Sequence, residues 1–241
     1  MIYLLLMTAG CIAWIISTIA AGGAATLLIP VIGLLLGPQL VAPVISVASI
    51  MANPSRVLFF HDHIDWVLVR WLVPGSVLGA ILGAWLFTQL QIEWLEIVLG
   101  LFLVSYVLQY RFSKKRLGLV IKPAWFFPIG ILVSFLSGLT GATGPILNPF
   151  LLSYGLQKQQ LVGTKAVNSF IMQITKLSTY TIFGALTLQI GIYGIALGLG
   201  AIIGVYLTHL HLLRINTEQF TLYVHLLMFV SGCLMLGRAF F

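Results

Sequence analysis

Apolar runs of helical length recur from Tyr3 to Phe240, parted by short clusters of Gly, Pro or charge. The alternation of a transmembrane barrel is absent, so the pattern predicts helices. Ten helical elements are expected, roughly 2–20, 24–36, 39–60, 67–88, 93–111, 124–139, 145–155, 160–183, 188–208 and 218–240. The second and seventh are short. At 1.5 Å per residue they reach about 20 Å, less than the roughly 30 Å hydrocarbon core of a bilayer.

Composition turns this pattern into a class. Of 241 residues, 60% are hydrophobic and only 7% charged, and the mean hydropathy is +1.10. A soluble domain carries about 25% charged residues. The sequence is therefore that of an all-α polytopic membrane protein, expected to form a single membrane domain over 1–241 in the lipid bilayer. The first segment lacks a basic leader region and runs directly into the rest, so it reads as a retained helix and not as a signal peptide.

The net charge of +7 would suggest nucleic acid on a soluble chain, but here the charges sit mostly in loops, where they set orientation. The run Arg111, Lys114, Lys115, Arg116, Lys122 marks a cytoplasmic linker, about 112–122. Counting outward from it puts both termini outside, with only Arg238 on the wrong side; a bacterial inner membrane is the expected location. Cys11 and Cys233 lie in apolar segments without metal or redox spacing and read as small helix residues.

The two halves resemble each other. "SVASIMANPSRV" (46–57) aligns with "AVNSFIMQITKL" (166–177), matching Ser49 to Ser169, Asn53 to Gln173 and Arg56 to Lys176. "GSVLGAILG" (75–83) aligns with "ALGLGAIIG" (196–204), and "GGAATLLIP" (22–30) with "GATGPILNP" (141–149). Repeat 1 is about 1–111 and repeat 2 about 123–241. Five elements per repeat make the second copy enter from the opposite side, an inverted-topology repeat. This parity survives if elements one and two form a re-entrant hairpin. Short, Gly/Pro-interrupted helices at matching positions of such repeats point to a transporter's substrate site. The glycines spaced four apart have a plainer use in close helix packing.

The candidate chemistry gathers at the two breaks. After Gly141 and Gly144, Pro145 suits the first turn of a new helix and Thr143 is placed to cap it. The first half offers Gly22, Gly23 and Thr26. A helix N-terminus within the membrane presents free N–H groups and a positive dipole end, both of which attract anions. Arg56, Lys165 and Lys176 are intramembrane cations, candidate functional groups unless Arg56 and Lys165 snorkel to the interface. Asn53 and Ser49 share a face with Arg56, and Gln173 and Ser169 with Lys176; Asn148 and Asn168 add amides. All five carboxylates map to segment ends, so the cations call for an anionic partner.

The expected substrate-binding set is thus Gly22, Gly23, Thr26, Ser49, Asn53, Arg56, Gly141, Thr143, Gly144, Asn148, Lys165, Asn168, Ser169, Gln173 and Lys176. A coupling ion, H⁺ or Na⁺, is left open, and the chain is compatible with a homo-oligomer. No catalytic group, metal set or cofactor motif is expected: the pairs His61/His63 and His209/His211 read as interfacial histidines. A non-transporting assembly protein and an anion channel are the competing readings.

These motifs resemble the TauE/SafE sulfite-exporter family, also called the toluene sulfonate uptake permease family. Its members carry a glycine-rich break followed by proline once per half, here "GGAATLLIP" and "GATGPILNP". "LVGTKAV" (161–167), the pair Ile64–Asp65 and "GSVLGAILGAWL" (75–86) resemble further family segments. The family break usually reads as three glycines, whereas Ala24 and Thr143/Pro145 intervene here. The resemblance spans essentially the whole chain. It implies a secondary transporter, expected to be an exporter, of small sulfur-containing anions such as sulfite, thiosulfate or organosulfonates.

Overall fold

The computed structural model of the protein describes residues 1–19, 24–112, 121–142, 144–156 and 158–210, together with 229, 233, 236 and 237. Among these residues there is no strand, and nine α-helices follow in order. They are α1 (Ile2–Ile19), α2 (Ala24–Leu35), α3 (Pro38–Phe59), α4 (Trp66–Gln89), α5 (Ile92–Phe112), α6 (Phe126–Thr140), α7 (Gly144–Tyr154), α8 (Lys158–Ile182) and α9 (Leu188–Leu210). Every one starts and stops within two residues of its expected place. The sixth differs in kind at its start, where Pro123–Trp125 form a 3₁₀ turn before α6. The expected tenth element, 218–240, lies outside the described residues except for four isolated helical positions.

Local chemistry sets several boundaries. Pro38 occupies the first turn of α3 after Gly37, whose φ of 101° only glycine adopts readily. Asp65 caps α4, accepting the Leu68 N–H at 2.9 Å. Among the described residues, four helical spans are long and apolar enough to cross a membrane: Pro38–Phe59, Trp66–Gln89, Pro123–Thr140 and Leu188–Thr208. On α9, Ile192, Ile195, Leu199, Ile202 and Ile203 face outward while Leu197, Ala201 and Val205 are buried. That sidedness suits lipid on one flank and protein on the other. Exposed Trp66 and Trp85 stand about 28 Å apart along α4 at 1.5 Å per residue, the spacing of two interfacial aromatic belts. The protein is an integral membrane protein.

Glycine governs how the bundle closes. A methyl built on Gly75, Gly79 or Gly83 of α4 would collide with the carbonyl oxygens of Phe127, Ile131 and Phe135 on α6. On the other flank, Gly200 and Gly204 of α9 meet the Met7 and Cys11 carbonyls of α1 in the same way. The two backbones touch at each seam, which is the close approach that small residues permit in lipid.

The short helices belong to hairpins. Ile2, Leu35, Leu36 and Leu40 line one cleft with Thr187, Gln189, Ile190 and Tyr193, so α1 begins and α2 ends at the α8–α9 end of the bundle. The rings of Phe126 and Tyr154 meet edge-on at 5.5 Å, so α6 begins and α7 ends together. This second junction packs beside Leu68 and Leu72, at the α3–α4 end. The two hairpins therefore enter from opposite ends, and α2 touches α7 between them.

Candidate functional site

Each hairpin tip lies beside a basic residue. At the tip of the first, Thr18 in the last turn of α1 accepts a 2.9 Å hydrogen bond from the Arg56 guanidinium of α3. At the tip of the second, Ser137 in the last turn of α6 accepts from Lys176 of α8, at 3.1 Å through its carbonyl and 3.3 Å through its hydroxyl. Arg56 and Lys176, aligned in sequence, thus reach the ends of the helices that precede the two breaks.

The second tip is satisfied in detail. Gly141 closes α6 at φ 84°, the left-handed conformation that suits glycine, and returns its N–H to the Ser137 carbonyl at 2.8 Å. The Tyr180 hydroxyl donates to the Gly138 carbonyl at 2.6 Å. The buried Gly138 carbonyl would otherwise be orphaned at this helix end. Tyr180 occupies it, and Lys176, one turn away on α8, adds a second donor to the Ser137 carbonyl that Gly141 already reaches. Tyr180→Phe leaves the buried Gly138 carbonyl without this donor and should cost about 1–3 kcal/mol of stability, read by thermal unfolding in detergent.

Between the tips, α3 crosses α8. The Asn53 amide donates to the Ser169 hydroxyl at 3.0 Å, which joins the two polar faces expected from sequence. Ser49, Asn168 and Gln173 are buried in the same pair of helices. Among the described residues, Asn168 Oδ1 and Gln173 Oε1 have no hydrogen-bond partner. Lys165 turns to α7, donating to Asn148 Oδ1 at 2.6 Å. Gly163 lies against the Phe60 carbonyl, so α3 and α8 run antiparallel and Arg56 and Lys165 fall on the same side of the Asn53–Ser169 contact; the buried Arg56 Nε has no partner among the described residues. Both cations are thus engaged inside the bundle. The nearby carboxylate Asp65 is committed to capping α4 and receives no salt bridge among the described residues.

The structure therefore brings together Asn53 with Ser169, Lys165 with Asn148, and Arg56 with the Lys165 neighbourhood. Lys176 stands apart from these, turned to α6. Thr26 is buried in the first turn of α2, and Gly144 opens α7. Gly22, Gly23 and Thr143 lie outside the described residues. Sequence reasoning missed Thr18, Ser137 and Tyr180. Tyr180 was open to detection, since it falls four residues beyond Lys176 on one helical stripe. No group of three or more metal-ligating side chains occurs among the described residues.

Two helical hairpins that stop inside a bundle, with basic and amide side chains between them, define an integral membrane protein built around a polar interior. The sequence model of the sulfite exporter TauE/SafE family matches residues 6–235. The chain belongs to that family of membrane transporters. It is also similar to the probable membrane transporter protein YtnM of Bacillus subtilis (strain 168), with 26% identity over 121 residues. That match covers 46% of this chain and 40% of the relative's length. No solved structure matches the chain significantly.

Proposed function

We propose that the protein is a secondary transporter, working as an exporter, of small sulfur-containing anions such as sulfite, thiosulfate or organosulfonates. The observation that carries this reading is the Arg56–Lys165 pair. The antiparallel crossing of α3 and α8 brings the two cations to one side, where like charges in an apolar bundle repel and a bound anion would relieve the repulsion. Asn148, Asn53 and Ser169 would fix its orientation by hydrogen bonds, and the N-termini of α2 and α7 would add backbone N–H groups. The family supports the substrate class.

The two halves are read as inverted repeats of five elements, within a single domain whose residues 112–122 face the cytoplasm of a bacterial cell. Three features support that relation. The hairpins enter from opposite ends, α1 lies on α9 as α6 lies on α4, and Arg56 and Lys176 contact equivalent helix ends. Rocking one set of helices against the other would expose the anion alternately to each side.

A thermal-shift panel on detergent-purified protein tests the site. Sulfite, thiosulfate, taurine, sulfoacetate, sulfate, chloride and small carboxylates are compared at constant ionic strength. A ligand bound only by the folded state stabilises it by about 2.7 kcal/mol at a hundredfold excess over its Kd. Selective stabilisation by a sulfur anion is expected. A flat panel would move the glycine breaks to the competing reading, a membrane assembly protein in which they serve packing alone.

A further inference from the structure

Lys176 is fully buried, and the sulfur-anion site leaves it unused. An ammonium carries three N–H donors. The structure gives this one two acceptors, the carbonyl and the hydroxyl of a single neutral residue, Ser137. The negative end of the α6 dipole offsets part of a positive charge there, but only part. Among the described residues no carboxylate pairs with Lys176.

Among the described residues, the groups around Lys176 do not supply a counter-ion. On α6, which Lys176 touches, no residue titrates. Arg56 on α3, Arg70 on α4, Tyr154 on α7 and the turn His61–His63 belong to the α3–α4 end of the bundle. Lys165 is engaged by Asn148. Glu93 and Glu96 start α5, whose Leu95 packs with Leu139 and Tyr180, yet neither forms an ion pair with Lys176. Tyr180 is the titratable group one turn away, and its hydroxyl is committed to Gly138.

We propose that Lys176 is the proton carrier of this transporter. A neutral amine keeps two N–H groups, enough for both contacts to Ser137, so the α6 tip stays capped while the third proton leaves. When the tip region opens to water on one side, the ammonium releases one proton to that water. When it opens on the other side, the amine lone pair takes one proton up. No other bond is made or broken. This inference rests on the transporter reading and adds a coupling ion to it.

The test uses the full chain in sealed proteoliposomes with a trapped pH-sensitive dye. Radiolabelled sulfite, thiosulfate and taurine are followed in counterflow and in net transport. With one proton moved per anion, a one-unit pH step should change the accumulation ratio of the transported anion about tenfold. Lys176→Arg keeps a cationic cap that cannot deprotonate, and Lys176→Met removes the titrating group. Both variants should lose the pH-driven accumulation and the dye signal, while Lys176→Arg retains counterflow at constant pH. Persistence of pH drive in both variants overturns the proposal, as does wild-type transport indifferent to pH. Loss of counterflow in both, together with pH drive, also overturns it by marking Lys176 as a substrate or packing residue. Absence of exchange of every anion by the wild type would instead overturn the transporter reading itself.

Discussion

Arg56→Ala and Lys165→Ala should each weaken binding of the transported anion by about 10- to 150-fold, the loss of a hydrogen bond to a charged group worth about 1.5–3 kcal/mol. Calorimetric titration of the purified protein reads this directly. Relief of the repulsion between the two cations opposes the loss of the Arg56–Thr18 or Lys165–Asn148 hydrogen bond. The variants' unfolding temperatures should accordingly change little. Lost binding without lost stability is the signature of a binding residue. A variant that unfolds early but binds normally would mark the cation as a packing element.

Gly141→Val should have the largest effect on folding. A left-handed φ of 84° costs a side chain about 1–2 kcal/mol. A Cβ there would also stand 3.2 Å from Ala42 Cα and 3.3 Å from Ile45 Cδ1, and overpacking of this kind costs about 1–3 kcal/mol more. Gly184→Val isolates the dihedral part, since φ is 74° and nothing lies within 4 Å of the added Cβ. Thermal unfolding should therefore fall further for Gly141→Val than for Gly184→Val. Equal losses would mean that the α6 tip does not pack on α3.

The sequence exposed the scaffold well because membrane helices announce themselves. Apolar length, Gly and Pro punctuation and loop charge placed the described helices within two residues. The glycines of α4 and α9 were read as packing residues, and the backbone contacts of Gly79 with Ile131 and of Gly200 with Met7 explain why only glycine fits there. Partners across the bundle were less legible. A stripe of Lys165, Ser169 and Lys176 says that these residues share a face of α8. It does not say that Lys165 turns to Asn148 on α7 while Lys176 turns to α6, since that depends on where each hairpin tip ends. Tyr180 was overlooked for a related reason: an aromatic residue on an apolar helix reads as core until its hydroxyl is seen to cap a carbonyl. The anion itself is written in neither composition nor spacing, because a pair of cations specifies charge and not the element that bears it.

The central claim is anion transport through the Arg56–Lys165 site, and counterflow measures it most directly. Purified protein is reconstituted into liposomes preloaded with unlabelled sulfite, thiosulfate or taurine, and entry of the same labelled compound is followed. At least one sulfur anion should exchange in the wild type, and the Arg56→Ala/Lys165→Ala double variant, with its unfolding temperature little changed, should lose that exchange. Exchange that survives the double substitution would contradict the site, and a wild type that exchanges none of the three would contradict the function.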